Sequence, residues 1–339
     1  MSGDIPDIDF ASIEHKANGA SREASAAVLG HLAGRIENLI VASADLANSD
    51  KTDGFLKGAK AFAPHQFDAN FLHAGVAEFS MAAMANGMAL HGGVIPVVGT
   101  FFIFSDYQKP AIRLSALQEL HVIYLWTHDA FRVGEDGPTH QPIEQEAQIR
   151  LMEKVKNHSG DRSFLALRPA DAEETKVAWR MALKNKKKPS GLILSRQGIK
   201  DLPASSNRFT EAEGAEKGAY RLRSSDSAKA TLIANGSEVG TLVDAADLLE
   251  KDGVSVNIVS IISDGLFKDQ DAAYQKEVLG NLPRVALTAG LPDLFEAMVG
   301  ESGMVLGLDH FGHSAPATVL DEKFGFTGQQ AYEKIRAFL

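Results

Sequence analysis

The chain has 339 residues, 45% hydrophobic and 23% charged, and 34 Lys and Arg against 44 Asp and Glu give a formal net charge of −10. This balance predicts a globular protein of about two domains and disfavours nucleic acids and anionic membranes, which require clustered cations. The absence of cysteine excludes disulfides, cysteine-bound metals and thiol catalysis. No apolar run approaches the roughly 20 residues that span a bilayer, and the first residues lack the basic and apolar segments of a secretory signal, so we expect a cytoplasmic protein.

In the first part of the chain, apolar runs rich in β-branched residues alternate with longer amphipathic stretches. This alternation predicts βα units around a parallel sheet that helices cover on both faces. The predicted strands are residues 39–42, 94–98, 122–126, 164–167 and 192–194. The predicted helices are residues 21–36, 78–91, 110–119, 143–155 and 170–183, and the last begins with Pro169 and Asp171 as start signals.

The composition changes after Arg196. Residues 198–217 carry Pro, Ser, Asn and several Glu without an apolar period, which indicates a linker. A second α/β unit follows, with predicted strands at residues 230–234, 255–260, 285–288 and 305–308 and predicted helices at residues 239–251 and 329–338.

The densest polar cluster, residues 127–142, directly follows a predicted strand. Ligands of open α/β sheets bind outside the carboxyl ends of the strands, and this segment contains His128, Asp136 and His140. His, Asp and Gly are also common in ordinary turns, so a structural role for this segment and a functional one are about equally supported. We predict no metal site, because His128 and His140 lack the close spacing of helical ligands and the pair His310 and His313 has no third ligand nearby.

A second cluster, residues 73–81, opens a predicted helix with Glu78 in its first turn. The helix dipole favours a carboxylate there, and this explains most such residues. The neighbours Val76, Phe79 and Met81 are apolar, however. A sheltered carboxyl could instead hold a proton for a ligand nitrogen.

Two further segments are ambiguous when considered alone. Phe101, Phe104 and Tyr107 recur at a three-residue spacing, which places them on one helical face. Such aromatics form either core or a slot for a flat heterocycle, and the sequence leaves both open. Asp45 and Ser49 follow a predicted strand and indicate only a polar loop.

Taken together, these segments resemble transketolase, because several independent motifs occur in that family's order. Residues 134–142, Gly-Glu-Asp-Gly-Pro-Thr-His-Gln-Pro, are nearly the family's signature. Further similar segments are residues 43–46, 85–87, 90–93, 99–101, 195–197 and 311–316. The resemblance covers the chain from about Arg22 to its last residue.

The resemblance implies the second half of a transketolase, made of two consecutive α/β domains. Residues 1–200 would form a parallel-sheet domain that binds the aminopyrimidine of thiamine diphosphate, residues 201–216 a linker, and residues 217–339 a smaller mixed-sheet C-terminal domain. In the family, the other half holds the diphosphate and Mg²⁺ through a Gly-Asp-Gly motif, which this sequence lacks. We therefore expect a subunit of a split transketolase, a heterotetramer in which a partner chain binds the diphosphate and Mg²⁺.

On the cofactor side, the resemblance implies a role for five residues. Glu78 matches the catalytic glutamate that hydrogen-bonds N1′ of the aminopyrimidine. Phe101, Phe104 and Tyr107 match the aromatic pocket around that ring, and Asp45 matches an acid of the same site.

On the substrate side, His140 matches a catalytic histidine near the donor carbonyl, and Asp136 matches the acid that binds a sugar hydroxyl. The group that holds the sugar phosphate is matched by Arg22, Ser49, His128 and Arg196.

The sequence departs from the family pattern at a few positions. Ala77 and His310 stand where the family has Arg, and Phe131 and Arg132 replace small and aliphatic residues. We expect Phe131 and Arg132 to lie beside the substrate channel and to affect the choice of sugar.

The predicted reaction is the transfer of a two-carbon ketol unit from a ketose phosphate to an aldose phosphate. The alternatives are a related thiamine enzyme acting on a different anionic sugar, and a non-catalytic half that binds and regulates a partner. The joint presence of Glu78, Asp136 and His140 favours an enzyme.

Overall fold

The computed structural model describes residues 5–339, and its first sheet is built from the apolar runs of the first part of the chain. The strands are β1 (Leu39–Ser43), β2 (Phe71–His73), β3 (Ile95–Phe101), β4 (Ile123–Thr127), β5 (Leu165–Leu167) and β6 (Ser190–Leu194). They lie in the order β2-β1-β3-β4-β6-β5 and are all parallel. The predicted parallel sheet is confirmed.

Helices cover both faces of this sheet, as the lack of alternation in its strands predicts. They are α1 (Ser21–Leu32), α2 (Ala47–Asp50), α3 (Glu78–His91), α4 (Ser105–Leu117), α5 (Gln145–Lys154) and α6 (Ala172–Lys184). Neighbouring residues of β3 belong to different hydrophobic clusters: Val97 packs in one buried cluster and Val98 in another. Asp171 caps α6 by accepting a hydrogen bond from the Glu174 amide, as its start signal predicts.

The second sheet lies in the C-terminal part of the chain and is mixed. Its strands are β7 (Ala219–Arg223), β8 (Thr231–Ala234), β9 (Asn257–Ile261), β10 (Arg284–Leu287) and β11 (Met304–Leu306), in the order β11-β10-β8-β9-β7. Only β7 is antiparallel to its neighbour within the described chain. The helices around it are α8 (Glu238–Lys251), α9 (Asp264–Lys268), α10 (Ala272–Leu279), α11 (Glu296–Val299), α12 (Ala317–Phe324) and α13 (Gly328–Phe338).

The segment between the sheets is partly helical, although its sequence shows no apolar period. It contains α7 (Arg208–Ala212), followed by a 3₁₀ turn at Glu213–Lys217. Arg208 binds Asp171 at the start of α6, with 2.6 Å between Nε and Oδ2, and donates a second hydrogen bond to the Tyr220 hydroxyl at 2.6 Å. The ion pair with Asp171 and the hydrogen bond to Tyr220 hold the segment against both domains.

The strand register brings four loop starts to the same edge of the first sheet. Ser43 pairs with Gly99, Phe101 with Thr127, and Thr127 with Leu194. The carboxyl ends of β1, β3, β4 and β6 therefore lie side by side. The residues that follow these ends include most of the predicted site residues.

Phe131 and Arg132, expected beside a substrate channel, are buried against the C-terminal domain instead. Phe131 belongs to the hydrophobic core of that domain, and Arg132 forms ion pairs with Glu238 and Asp321. The expectation is wrong because the chain after β4 first turns into the C-terminal domain before it returns to the sheet edge.

Across residues 5–339, no helix is both long enough and apolar enough to cross a membrane.

Candidate active site

The half-buried Arg22 and the exposed Arg196 lie at the carboxyl edge of the first sheet, on main chains that the serines before them join. The Ser21 amide donates a hydrogen bond to the Ser195 hydroxyl at 3.0 Å, and the Ser195 amide donates one to the Ser21 hydroxyl at 2.7 Å. We call this reciprocal pair the serine clamp. Arg22, at the start of α1, and Arg196, just beyond β6, follow the clamped residues directly.

The environment of Arg22 favours an anion. Its Nη1 donates to the Ser49 carbonyl at 2.6 Å, but its buried Nε finds no acceptor in the described part of the chain. Burial lowers the pKa of Arg22, and the like charge of Arg196 lowers it further, while Glu23 and Asp50 offset part of this effect. A bound anion would relieve the repulsion and accept the unpaired hydrogen bond.

The loop that offers the Ser49 carbonyl is ordered by Asp50, a residue that no motif of the sequence singles out. The Ser43 hydroxyl donates to one carboxylate oxygen at 2.7 Å, and the Thr52 hydroxyl donates to the other at 2.6 Å. Burial raises the pKa of Asp50, and these hydrogen bonds oppose the rise. Gly99 is required beside it, because a Cβ there would lie 2.9 Å from an Asp50 oxygen.

His128 is buried in the left-handed backbone region, with a φ of 65°. Its ring stacks on Phe101 with 3.6 Å between centroids, and its Nδ1 lies 2.8 Å from the Thr127 hydroxyl. Burial lowers the pKa of His128 to about 2, with further repulsion from Arg22 and Arg196. The imidazole is therefore neutral near pH 7 and can offer a substrate a hydrogen bond, but no charge.

His140 faces the same aromatic residues from the far end of the loop. Its ring lies edge-on to Phe101 and Phe104, with centroid distances of 6.2 and 5.6 Å. The Thr139 hydroxyl lies 2.9 Å from Nδ1, which leaves Nε2 available to a ligand. The dipeptide Thr-His, which occurs at residues 127–128 and again at 139–140, is the sequence signal for these orienting threonines.

Phe101, Phe104 and Tyr107 form a continuous stack, which we call the aromatic wall. Phe101 and Phe104 have centroids 6.0 Å apart and planes 9° apart, and Phe104 and Tyr107 have centroids 5.9 Å apart. The three residues do not share one helical face as predicted, since Phe101 ends β3, Phe104 lies in a 3₁₀ turn and Tyr107 lies in α4. Tyr107 is 63% exposed, so the wall has an open end at which a flat ring could stack.

Glu78 opens α3, which follows β2 at the same sheet edge. Glu78 is 9% exposed and its carboxylate accepts no hydrogen bond from residues 5–339, but its oxygens are not among the fully enclosed unpaired atoms. Val76 and Phe79 beside it are 80% and 50% exposed. A mostly buried residue whose carboxylate has no protein partner is open to a ligand that supplies one. No hydrogen bond or ring contact within the described residues joins Glu78 to the aromatic wall.

The remaining predicted residues are exposed or act through the main chain. Asp45 is exposed in the left-handed region, with a φ of 63°, and Asp136 is exposed in the loop between the two histidines. Ser49 contacts Arg22 through its carbonyl. In the described part of the chain, no three His, Asp or Glu side chains are grouped to hold a metal ion.

Both domains match families of known proteins. Residues 18–200 match the family described as "Transketolase, pyrimidine binding domain", and residues 218–327 match "Transketolase-like TK C-terminal domain". Transketolase from Halalkalibacterium halodurans is 41% identical over 345 residues, and that from Geobacillus stearothermophilus 40% over 346; each match covers 100% of this chain and 50% of the relative. The chain thus spans about half the length of these relatives.

Solved structures give the same result. Transketolase from Leishmania mexicana superposes with a TM-score of 0.89 at 34% identity, over 99% of this chain and 48% of that one. A structure described as "Split gene transketolase, inactive beta4 tetramer" has a TM-score of 0.70 at 24% identity and covers 95% of this chain and 98% of its own, which shows a shared fold. The chain therefore belongs to the transketolase family and corresponds to the half that carries the pyrimidine-binding and C-terminal domains.

Proposed function

We propose that this chain is one half of a thiamine-diphosphate-dependent transketolase that moves a two-carbon ketol unit from a ketose phosphate to an aldose phosphate. The observation that supports this most is the pairing of Arg22 and Arg196 beside the neutral His128. A half-buried arginine with an unpartnered donor, close enough to the exposed Arg196 to be repelled by it, fits a sugar phosphate better than a neutral sugar.

Glu78, Asp45 and the aromatic wall would hold the aminopyrimidine. Glu78 would share a proton with a ring nitrogen, since its carboxylate has no hydrogen-bond partner among residues 5–339. Tyr107 and Phe104 would stack on the flat ring and exclude water from it. When bound, thiamine diphosphate supplies the nucleophilic carbon that protein side chains lack.

The two histidines and Asp136 would handle the sugar. His140 would present Nε2 to the donor carbonyl and hold or release a proton there, while Thr139 fixes the other ring nitrogen. Arg22, His128 and Arg196, with the Ser49 loop, would bind the phosphate end. Asp136, exposed on the same loop, would accept a hydrogen bond from a sugar hydroxyl.

A second chain would complete the site by binding the diphosphate and Mg²⁺. The exposed face of α3 beside Glu78 supports this, because Phe79, Ala83, Gly87 and Leu90 recur at helical spacing and are all exposed. Apolar surface of this kind, next to a carboxylate without a partner, is typical of an interface. The split-gene transketolase of similar fold forms an inactive tetramer of β chains, which supports a heterotetramer with a different partner chain as the active form here.

The experiment is a ketol-transfer assay with xylulose 5-phosphate and ribose 5-phosphate, in the presence of thiamine diphosphate and Mg²⁺. The chain is assayed alone and then mixed with a chain that carries a transketolase diphosphate-binding domain. Activity only in the mixture would support the proposal, and full activity of the chain alone would contradict the need for a partner.

If both assays are silent, binding of thiamine diphosphate to the mixture distinguishes the alternatives. Binding without turnover of these sugars would point to another anionic sugar, and no binding would point to a regulatory half.

A further inference from the structure

The loop at residues 128–141 carries both histidines, and part of it packs against the C-terminal domain. Phe131 is fully buried there, and its ring lies edge-on to Phe324 and Phe326, with centroid distances of 5.1 Å to each. Edge-on packing of a buried aromatic residue stabilises one orientation of the backbone that carries it. Three residues before this point the same backbone carries His128.

The next residue adds a buried ionic contact with the same domain. Arg132 donates from Nη1 to Glu238 in α8 at 2.7 Å and from Nε to Asp321 in α12 at 2.7 Å. Its guanidinium also lies 5.0 Å from the centre of the Phe131 ring. Glu238 is fully buried and also pairs with Arg168 at 2.6 Å, so withdrawal of Arg132 would remove one of its two cationic partners and the hydrogen bond to Asp321, which opposes movement of the loop at this point.

The far end of the loop has its own contact with the C-terminal domain. Gln141 donates from Nε2 to the carbonyls of Gly134 at 3.0 Å and of His313 at 2.9 Å. The Ser314 hydroxyl donates to the Glu135 carbonyl at 2.5 Å. Gly312 permits this approach, because a Cβ there would lie 1.7 Å from Gln141 Oε1.

We propose that the C-terminal domain sets the geometry of the substrate side through Phe131 and Arg132, which are positioning residues for His128 and His140. They touch neither cofactor nor sugar; they fix the loop between the two histidines, while Glu78 stands on a separate element, α3. The effect on catalysis rests on the function proposed above. The effect of Phe131 and Arg132 on the stability of the loop conformation is independent of that function.

The first experiment is hydrogen–deuterium exchange on the chain alone, with Asp321→Ala as the variant. This change weakens the hold on Arg132 from the C-terminal domain and leaves the loop sequence intact. Asp244→Ala is the matched control, because it removes a helical aspartate of the same domain that pairs with Lys200 and lies outside the loop contacts described above.

The amides of Val133, Gly134, Gly137 and His140 are the reporters, since each donates a hydrogen bond within the loop. We expect Asp321→Ala to speed their exchange by about 2- to 30-fold, the range of measured coupling between packed elements, and Asp244→Ala to leave it unchanged. Equal exchange in the two variants would overturn the proposal.

A second pair of variants tests the aromatic contact independently. Phe131→Leu keeps an apolar side chain in the core but loses the ring edges, and Phe267→Leu makes the same change at another buried site of the C-terminal domain. Faster exchange of the four reporter amides only in Phe131→Leu supports the proposal. Equal loop exchange in both variants counts against it.

The catalytic consequence is measured with the assembled complex. We expect Asp321→Ala to raise KM for the sugar phosphates through His128 and to lower kcat through His140, each several-fold, without a change in the affinity for thiamine diphosphate, and Asp244→Ala to change none of these. Faster loop exchange with both KM and kcat unchanged would overturn the positioning role. If the wild-type complex has no activity, the proposed function fails, and exchange on the chain alone still decides whether the C-terminal domain holds the loop.

Discussion

At the scale of single residues, His128 shows how burial sets what a side chain can do. Its low pKa follows first from burial and then from the charges of Arg22 and Arg196. The same environment that keeps the imidazole neutral makes its protonation costly for the folded chain. The protein therefore becomes sensitive to acid at this position.

We predict the sign and the size of this sensitivity. The folded-state pKa of His128 is about 2, so below the ordinary value of about 6.5 the unfolded chain binds the additional proton, and stability falls as the pH falls. This single group should contribute a loss of about 1.4 kcal/mol per pH unit below about pH 6.5. Urea unfolding between pH 7 and pH 5 measures the slope.

His128→Asn should remove this part of the slope, because asparagine tolerates the left-handed backbone and does not titrate. His65→Asn is the control for the substitution itself, since His65 has a φ of 64° and lies on the surface. An identical slope in wild type and His128→Asn would contradict the prediction.

A second residue-scale prediction concerns Glu78. Glu78→Gln keeps the size of the side chain but removes its ability to exchange a proton with a ring nitrogen, so we expect the assembled complex to lose about 10²- to 10⁴-fold in kcat. Thermal unfolding should change little, because the carboxylate has no hydrogen-bond partner among residues 5–339. Glu296→Gln, also in a first helical turn, should keep wild-type turnover.

At the scale of elements, the local sequence pattern predicts the strands that are buried in the core. It misses short and edge strands, whose positions depend on contacts with distant parts of the chain. The buried parallel strands β1, β3, β4, β5 and β6 are continuous apolar runs and lie close to their predicted positions. β2 has only three residues, and β7 alternates apolar and charged residues as an antiparallel edge strand, so neither forms such a run. Helix α4 begins at Ser105, with Pro110 in its interior rather than at its start.

The serine clamp is an element-scale device, because it fixes the start of α1 to the end of β6. Ser21→Ala should leave the Ser195 amide without its buried acceptor and cost about 1–3 kcal/mol of stability. It should also raise KM for sugar phosphates in the complex, because the main chains that carry Arg22 and Arg196 lose their fixed spacing. Urea unfolding and steady-state kinetics measure the two effects.

Ser25→Ala separates these effects. Ser25 is buried in the same helix and accepts a hydrogen bond from the Trp179 indole at 2.9 Å, so its loss should destabilise the chain by a similar amount. It does not hold either arginine, and we expect KM to stay at the wild-type value. A raised KM in both variants would show that general destabilisation, and not the clamp, controls phosphate binding.

At the scale of the whole molecule, the candidate site depends on contacts that no local pattern contains. The polar loop starts were predictable because the carboxyl ends of parallel strands share one edge. The burial of Phe131 was not, because Phe324 and Phe326, which receive its ring, lie at the far end of the chain. Only the folded chain shows that these residues belong to the second core.

Assembly with a second chain should depend on the exposed face of α3. Leu90 is 58% exposed in the last turn of α3, on the face that we expect the partner to cover. Leu90→Glu would bury a charge at that interface and should weaken association by about 30-fold or more, the effect of removing one strong interface contact. Leu117, 45% exposed in the last turn of α4, lies outside this face, and Leu117→Glu should associate normally. Sedimentation of each variant mixed with the partner measures both, and normal assembly of Leu90→Glu would place the partner on another surface.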